Sequence, residues 1–433
     1  MKIRAIVLAL LLPVSGCLLA ETMLAVNLKD ATDLYVASDV DSISFFDDEL
    51  IELSDSKKCY KEDPYKKTIT FLFDSLLWRK WKPTNIEVRG SFNDWGDETK
   101  YFLQRVDTAK VRPMWALTLP YSAVKFPGNS GQPEFKFVIN GSWQEPPSWL
   151  TPGYKFSGTS NNQIIVYSTD NLEEIKAKNK IASTKKTLSA FDLTTQQGRE
   201  DISNVRIVPG TKCLMRCYHP FKYTTSDRNS TEFERVKQVK MFFEEYGIKT
   251  DICLSKNQTN DLVKVTIGGV SKTEEISEYY QNLIDNDKVA YIGYPDSETD
   301  YYDCYHNPRS AKVGGWVGQV IDAIVDDNHD VPISIHCRIG TDRTGFFCAL
   351  IGVMCGASFE EVTADYQRSN NMYIKEYRDA KMMKVAFEGL LDVEDVSKVS
   401  DLKSAVINYF VNGGYTTQEK VDKMIEKLNS SIK

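Results

Sequence analysis

Residues 331–352 read VPISIHCRIGTDRTGFFCALIG, and the fold of the carboxyl-terminal half of the chain turns on how they are read. The run VPISI is short, apolar and rich in β-branched residues, as a buried strand is. It delivers His336 and Cys337 at its carboxyl end, and RTGFFCALIGVMCG then begins a helix. Between them lies RIGTD, where Gly340 can take a turn geometry closed to other residues. A loop that enters a helix this way points successive backbone N–H groups inward and adds the positive end of the helix dipole. It forms an anion cradle. Cys337 at its mouth is expected as a thiolate, because helix N-termini and neighbouring arginines lower a thiol pKa by about one to five units. A thiolate is a competent nucleophile toward phosphorus. Arg343 can grip two non-bridging oxygens through its planar fork, and the Thr344 hydroxyl is placed to hydrogen-bond the sulfur.

Working outward, strand-like runs (KTDICLS, VKVTIGGV, VAYIGYP, VPISIHC) alternate with helix-like ones (EFERVKQVKMFFEEYG, VGGWVGQVIDAIVDD, FEEVTADYQRSN) over residues 201–433. That alternation predicts an α/β domain. Residues 171–200 are charged and poor in large apolar side chains, which suits a linker or a bridging helix. Over residues 66–170 the pattern changes to short runs broken by Gly, Pro, Asn and Asp, among them TITFLF, NIEVRGSF, WALTLP, EFKFVING and NQIIVY. This spacing predicts a β-sandwich. Residues 21–65 are read as an acidic extension, and residues 1–20 as a short secretory signal with Lys2 and Arg4 ahead of an apolar run. Val14-Ser15-Gly16-Cys17 resembles a bacterial lipobox, which would make Cys17 a lipid-attachment site; the plainer alternative is an ordinary signal cleaved nearby. The expected location is the cell envelope or the exterior, with a lipid anchor as the route to membrane attachment.

The chain has 433 residues, enough for two or three domains with their own cores. A net charge of −7 gives no basic footprint for nucleic acid, so any phosphate site must be local. Nine cysteines in an exported chain raise the question of a disulfide framework. Without Cys17 and Cys337 seven remain, an odd number, and Cys348 and Cys355 sit in an apolar helical run as core residues. A pairing of Cys213 with Cys217 is left open.

The order His336-Cys337-x5-Arg343-Thr344-Gly345 resembles the signature of cysteine-based tyrosine and dual-specificity phosphatases, and Gly-x-Asp-Arg-Thr-Gly recurs in a bacterial branch of them. The resemblance spans about residues 200 to 425 and implies a protein-tyrosine-phosphatase-like α/β domain that works without metal or cofactor. It implies Cys337 as nucleophile, a phosphate cradle made by Arg338, Ile339, Gly340, Thr341, Asp342 and Arg343, and Thr344 assisting the sulfur as leaving group. His336 either shapes the loop through the backbone or merely packs. A Trp-Pro-Asp loop is absent, and YPDSETDYYD occupies that region. Four aspartates are therefore candidates for the general acid: Asp296, Asp342, Asp300 and Asp303. Phosphotyrosine in protein is the default substrate; phosphoglucan and phosphoinositide or inositol phosphate are the alternatives.

In the β-rich segment VRGSFNDW places Trp95 past a strand end, FKFVINGSW sets Lys136 and Trp143 seven apart across a turn, and SGTSNNQIIVY adds Asn161 and Asn162. Exposed tryptophans beside amide and amine donors suit a sugar. These residues resemble the glycogen-binding module of the AMP-activated protein kinase beta subunit, of the early-set immunoglobulin-like type. Carried over, Trp95 and Trp143 would stack on glucose units while Lys136 and Asn161 bind hydroxyls. Ser157 stands where that family often has a leucine. The competing reading is an immunoglobulin-like spacer whose tryptophans pack a core or an interdomain contact. A different class of protein, a surface glycan-binding adhesin on an inactive phosphatase scaffold, has no chemical need for Cys337, Arg343 and Thr344 together.

Overall fold

The computed structural model describes residues 23–28, 31–36, 53–80, 83–96, 101–106, 114–157, 161–222, 230–255, 264–267, 270–273, 276–293 and 299–430. Residues up to Glu52 form a unit of their own, in which β1 (Met23–Leu28) and β2 (Ala31–Val36) pair as an antiparallel hairpin. Leu53 to Lys433 form a second unit that holds both remaining parts of the fold. Among the described residues no helix is long and apolar enough to cross a membrane.

The second unit begins with α1 (Leu53–Ser56), followed by β3 (Tyr60–Asp63), β4 (Thr68–Asp74), β5 (Ile86–Gly90), β6 (Gln104–Val106), β7 (Met114–Pro120), β8 (Glu134–Ile139), β9 (Ser142–Trp143), β10 (Lys155–Ser157) and β11 (Asn161–Ile164). They make two antiparallel sheets, β3-β4-β7-β6 and β10-β11-β8-β5, with β9 paired to β8. Alternate residues of β4 and β8 point inward, as a period of two requires. Phe71 meets Phe135 with ring centroids 5.0 Å apart, and Phe73 meets Phe137 at 5.5 Å, so the sheets share one aromatic core. Tyr60 and its strand, placed by sequence in the extension, join this core: Tyr60 is opposite Phe71 in register, and its hydroxyl donates to the Val166 carbonyl at 2.8 Å. The acidic composition around it hid one buried apolar edge.

Over residues 171–200 the chain is largely helical. In α2 (Leu172–Ser183) Asn171 caps the N-terminus, and Ile175 and Ala182 are buried against Phe156, Ile164 and Val166 of the sheets. Then α3 (Gln196–Ser203) leads into β12 (Arg206–Ile207) and β13 (Leu214–Cys217). Next come α4 (Ser230–Glu245), β14 (Thr250–Cys253), the hairpin of β15 (Lys264–Ile267) and β16 (Val270–Thr273), α5 (Glu278–Asp285) and β17 (Val289–Tyr291). After α6 (Tyr301–His306) and α7 (Ala311–Val325), β18 (Ile333–His336) runs into α8 (Asp342–Met354). The chain closes with α9 (Phe359–Arg368), α10 (Ala380–Leu391), α11 (Leu402–Asn412) and α12 (Gln418–Asn429).

The second sheet system has the order β12-β13-β18-β14-β17, with β13, β18, β14 and β17 parallel. Helices cover both faces. Leu214, Ile252, Ile333 and Ile335 pack on one side with α7, α8 and α11, while Met215 and Cys217 pack on the other with α4. β18 therefore lies between two parallel neighbours and is buried throughout. A ligand at its carboxyl end sits outside the strand ends, where open α/β sheets bind. α8 is buried from Thr344 to Met354, which explains why its sequence is apolar on all sides. The two halves of this unit touch: Phe126 stacks on His306 at 3.7 Å, Asn129 accepts from the Tyr377 N–H at 2.7 Å, and Lys178 pairs with Asp379 at 2.6 Å.

Candidate active site

The turn between β18 and α8 closes on Gly340, whose φ is +75°. A Cβ there would come 2.0 Å from the Cys217 carbonyl oxygen, so only glycine fits. Cys337, Arg338, Ile339, Thr341, Asp342 and Arg343 line a cavity of about 210 Å³ together with Tyr301. Cys337 is 4% exposed at its floor. Burial pushes its thiol pKa up, but the Arg343 charge and hydrogen bonding by Thr344 outweigh that and leave it below the ordinary thiol value. The Thr344 hydroxyl is buried without an ordinary hydrogen-bond partner.

Arg343 is aimed by backbone. Its Nη1 donates to the Thr299 carbonyl at 2.8 Å and to the Leu254 carbonyl at 3.2 Å. His336 lies beneath the loop with Nδ1 2.8 Å from the Cys337 carbonyl oxygen and Nε2 2.9 Å from Asp251 Oδ2. Both partners are acceptors, so the ring satisfies them fully only as imidazolium. Burial opposes that charge, yet the Asp251 carboxylate overrides it and holds the histidine pKa well above its usual value. Asp251 also accepts from the hydroxyls of Ser334 and Tyr280. A second buried network grips the loop from the other side. Arg216 donates to the carbonyls of Gly340 at 2.7 Å and Thr341 at 3.2 Å, and Asn204 donates to Gly340 at 2.8 Å. Asp365 holds Arg216 and Arg206 at 2.5 Å each.

The four carboxylates considered from sequence have separate surroundings. Asp342 is engaged at both oxygens: Arg378 Nη2 donates to Oδ2 at 2.7 Å, its Nε is 2.6 Å from Oδ1, and the Tyr366 hydroxyl donates to Oδ1 at 2.9 Å. Asp300 caps α6 by accepting from the N–H groups of Tyr302 and Asp303. Asp303 pairs with Lys312 at 2.6 Å. Asp296 lies outside the described residues, as does Cys17. Sequence reasoning missed Arg216, Asp251, Asp365, Tyr366 and Arg378. The one available signal was a charge inside strand-like runs, Arg216 in CLMRC and Asp251 in KTDICLS.

On the sheets of the amino-terminal half, Trp95 and Trp143 face each other with centroids 6.1 Å apart, and Trp143 is exposed. Glu145, also missed, joins the two polar candidates by accepting from Lys136 at 2.8 Å and from Asn161 at 2.6 Å. The Arg89 guanidinium lies 5.3 Å from the Trp143 ring centroid. Asn162 is buried and donates to Glu134 at 2.6 Å. The side chain of Ser157 lies outside the described residues.

Among the described residues His219, Cys253 and His336 could hold a metal ion, with ligand atoms within 4.8 Å of one another. His336, however, has both ring nitrogens committed to Cys337 and Asp251. The His219 Nδ1 accepts from the backbone N–H groups of Phe221 and Lys222. The chemistry of this group fits a loop support better than a metal centre. The described cysteines are free, and Cys213 and Cys217 stand four residues apart along a strand, about 13 Å, too far to bridge.

The family model for the tyrosine phosphatase family matches residues 211–428, half of the chain. No curated protein matches it.

Proposed function

The chain belongs to the tyrosine phosphatase family, and we propose that it hydrolyses phosphomonoesters through a cysteinyl-phosphate intermediate. The observation that carries this reading is the placement of the buried Cys337 with Arg343 in one cavity lined by the turn between β18 and α8, where the Arg343 charge favours the thiolate. The Cys337 sulfur attacks phosphorus while the bond to the leaving oxygen breaks and an aspartic acid supplies its proton. Water then attacks phosphorus, its proton returns to the aspartate, and the thiolate leaves with the help of the Thr344 hydroxyl. Loop N–H groups and Arg343 stabilise the charge-rich transition states.

Asp296 is the favoured acid. Asp342, Asp300 and Asp303 each hold a structural contact, and Thr299, three residues after Asp296 in sequence, binds Arg343. Asp342 then acts by positioning, tying α8 to Arg378. The two antiparallel sheets are read as an immunoglobulin-like sandwich whose Trp95, Trp143, Lys136 and Asn161 form a sugar-binding face. Phosphotyrosine in protein is the substrate that the family suggests. Sugar-linked phosphate is a second reading, favoured by the position of Trp95 beside the site.

Hydrolysis of p-nitrophenyl phosphate in the presence of a chelator tests the proposal, with Cys337→Ser expected to remove it. Full turnover by that variant would overturn the mechanism, and no turnover by the parent would leave a glycan-binding scaffold. An exported, Cys17-anchored enzyme is the reading of the amino terminus; incorporation of labelled palmitate, lost in Cys17→Ser, is the expected result.

A further inference from the structure

The cavity at Cys337 has a neighbour with which it shares part of its wall. Tyr301 and Asp342 line it and also line a larger cleft of about 280 Å³, whose opposite wall comes from the sandwich. That wall carries Trp95 and Asp94, neighbours that both adopt positive φ, +59° and +49°. Such backbone is sparsely populated for residues with a Cβ, and here it follows directly on the short 3-10 turn Ser91–Asn93. The same Trp95 stands 6.1 Å from the exposed Trp143. One tryptophan therefore belongs both to the aromatic face of the sandwich and to a cleft that shares Tyr301 and Asp342 with the cavity of Cys337.

The lining selects a ligand class. Asp94, Asp342 and Glu376 bring carboxylates to the cleft, where Arg378 is the partner of the latter two. An acidic wall repels a leaving group that carries further phosphates or an acidic peptide, but carboxylate oxygens accept hydrogen bonds from hydroxyls. Aromatic faces beside such acceptors fit a neutral ring with apolar faces and a hydroxylated rim, and a glucose unit with equatorial hydroxyls is such a ring.

We propose that the cleft is the leaving-group site for a phosphorylated gluco-oligosaccharide, whose chain crosses Trp143 and Trp95 while its phosphate seats at Cys337. This rests on the phosphatase reading given above. The chemistry is balanced as before: a sulfur–phosphorus bond forms, the bond from phosphorus to the sugar oxygen breaks, that oxygen takes a proton, and water releases inorganic phosphate.

Phosphate release is measured from maltoheptaose 6-phosphate, glucose 6-phosphate, a phosphotyrosyl peptide and p-nitrophenyl phosphate. The expected kcat/KM for maltoheptaose 6-phosphate exceeds that for glucose 6-phosphate by about tenfold or more, the worth of one good stacking contact. Trp95→Ala removes this advantage and Trp95→Phe, which keeps an aromatic face, restores most of it. Equal values for the two sugars, an advantage untouched by Trp95→Ala, or a clear preference for the peptide would each overturn the proposal. Absence of turnover on p-nitrophenyl phosphate would instead sink the phosphatase reading, and this inference with it.

Discussion

Cys337 differs from its neighbours in a way that a chemical probe can read. Burial pushes Cys59, Cys213, Cys217, Cys304, Cys348 and Cys355 up, whereas Arg343 brings Cys337 below the ordinary thiol value. Iodoacetamide at about pH 6 should therefore alkylate Cys337 first. Arg343→Ala removes the main stabilising charge, so the alkylation limb should move to higher pH; an unmoved limb would show that another group activates the sulfur. Gly340 offers a second test. Alanine there meets both a left-handed φ and the Cys217 carbonyl at 2.0 Å. Strained backbone alone costs about 1–3 kcal/mol, and kcat for p-nitrophenyl phosphate should fall with it, as steady-state kinetics would show. Cys337, Gly340 and Arg343 were legible because they follow one another in sequence. Arg378 was not, because its partner Asp342 is 36 positions away and only folding brings them together.

At the level of elements, the strand-loop-helix unit of β18 and α8 is held from beneath by side chains on other elements. α9 contributes most: Asp365 bridges Arg206 and Arg216 with one carboxylate, and the next residue, Tyr366, bonds Asp342. Arg216 is fully buried, and Asp365 is held below the usual carboxylate range: burial works against its charge, and the two arginines outweigh it. Asp365→Asn leaves two buried guanidinium groups short of one counter-charge. Breaking a buried pair this way costs about 3–5 kcal/mol, and urea unfolding should register it together with lost activity, since Arg216 holds the Gly340 carbonyl. A change within ±0.5 kcal/mol, the level of a surface substitution, would mean that the triad is not a support. The alternation of strands and helices was readable from period and turn residues. The order β12-β13-β18-β14-β17 was not, since it depends on which distant strands pair. The edge strand β3 was hidden for a related reason: its four residues, YKED, are mostly polar, and only Tyr60 is buried.

Across the whole unit, the seam between the sandwich and the α/β half is where sequence said least. Two independent patterns can each be recognised, but their docking is a matter of surfaces, and nothing in either pattern brings Trp95 beside Asp342. The seam also carries a titratable group with consequences for the stability of the fold. Glu134 is buried next to the cleft, where it accepts from Ser130 N–H and Asn162. Burial raises its pKa from 4.5 to about 7, and those hydrogen bonds only partly oppose the rise. Its value is higher folded than unfolded, so between these limits the native state binds more protons than the unfolded one. Stability is thus unaffected below about pH 4.5, falls as pH rises toward 7, and carries the full penalty above that, about 3 kcal/mol at most. Glu134→Gln keeps the shape and removes the charge. Urea unfolding of the parent and variant between pH 5 and 8 should show the parent losing stability with rising pH relative to the variant, the difference levelling off above about pH 7. A constant difference across that range would mean that the carboxylate stays charged in the folded protein, satisfied by Ser130 and Asn162 alone.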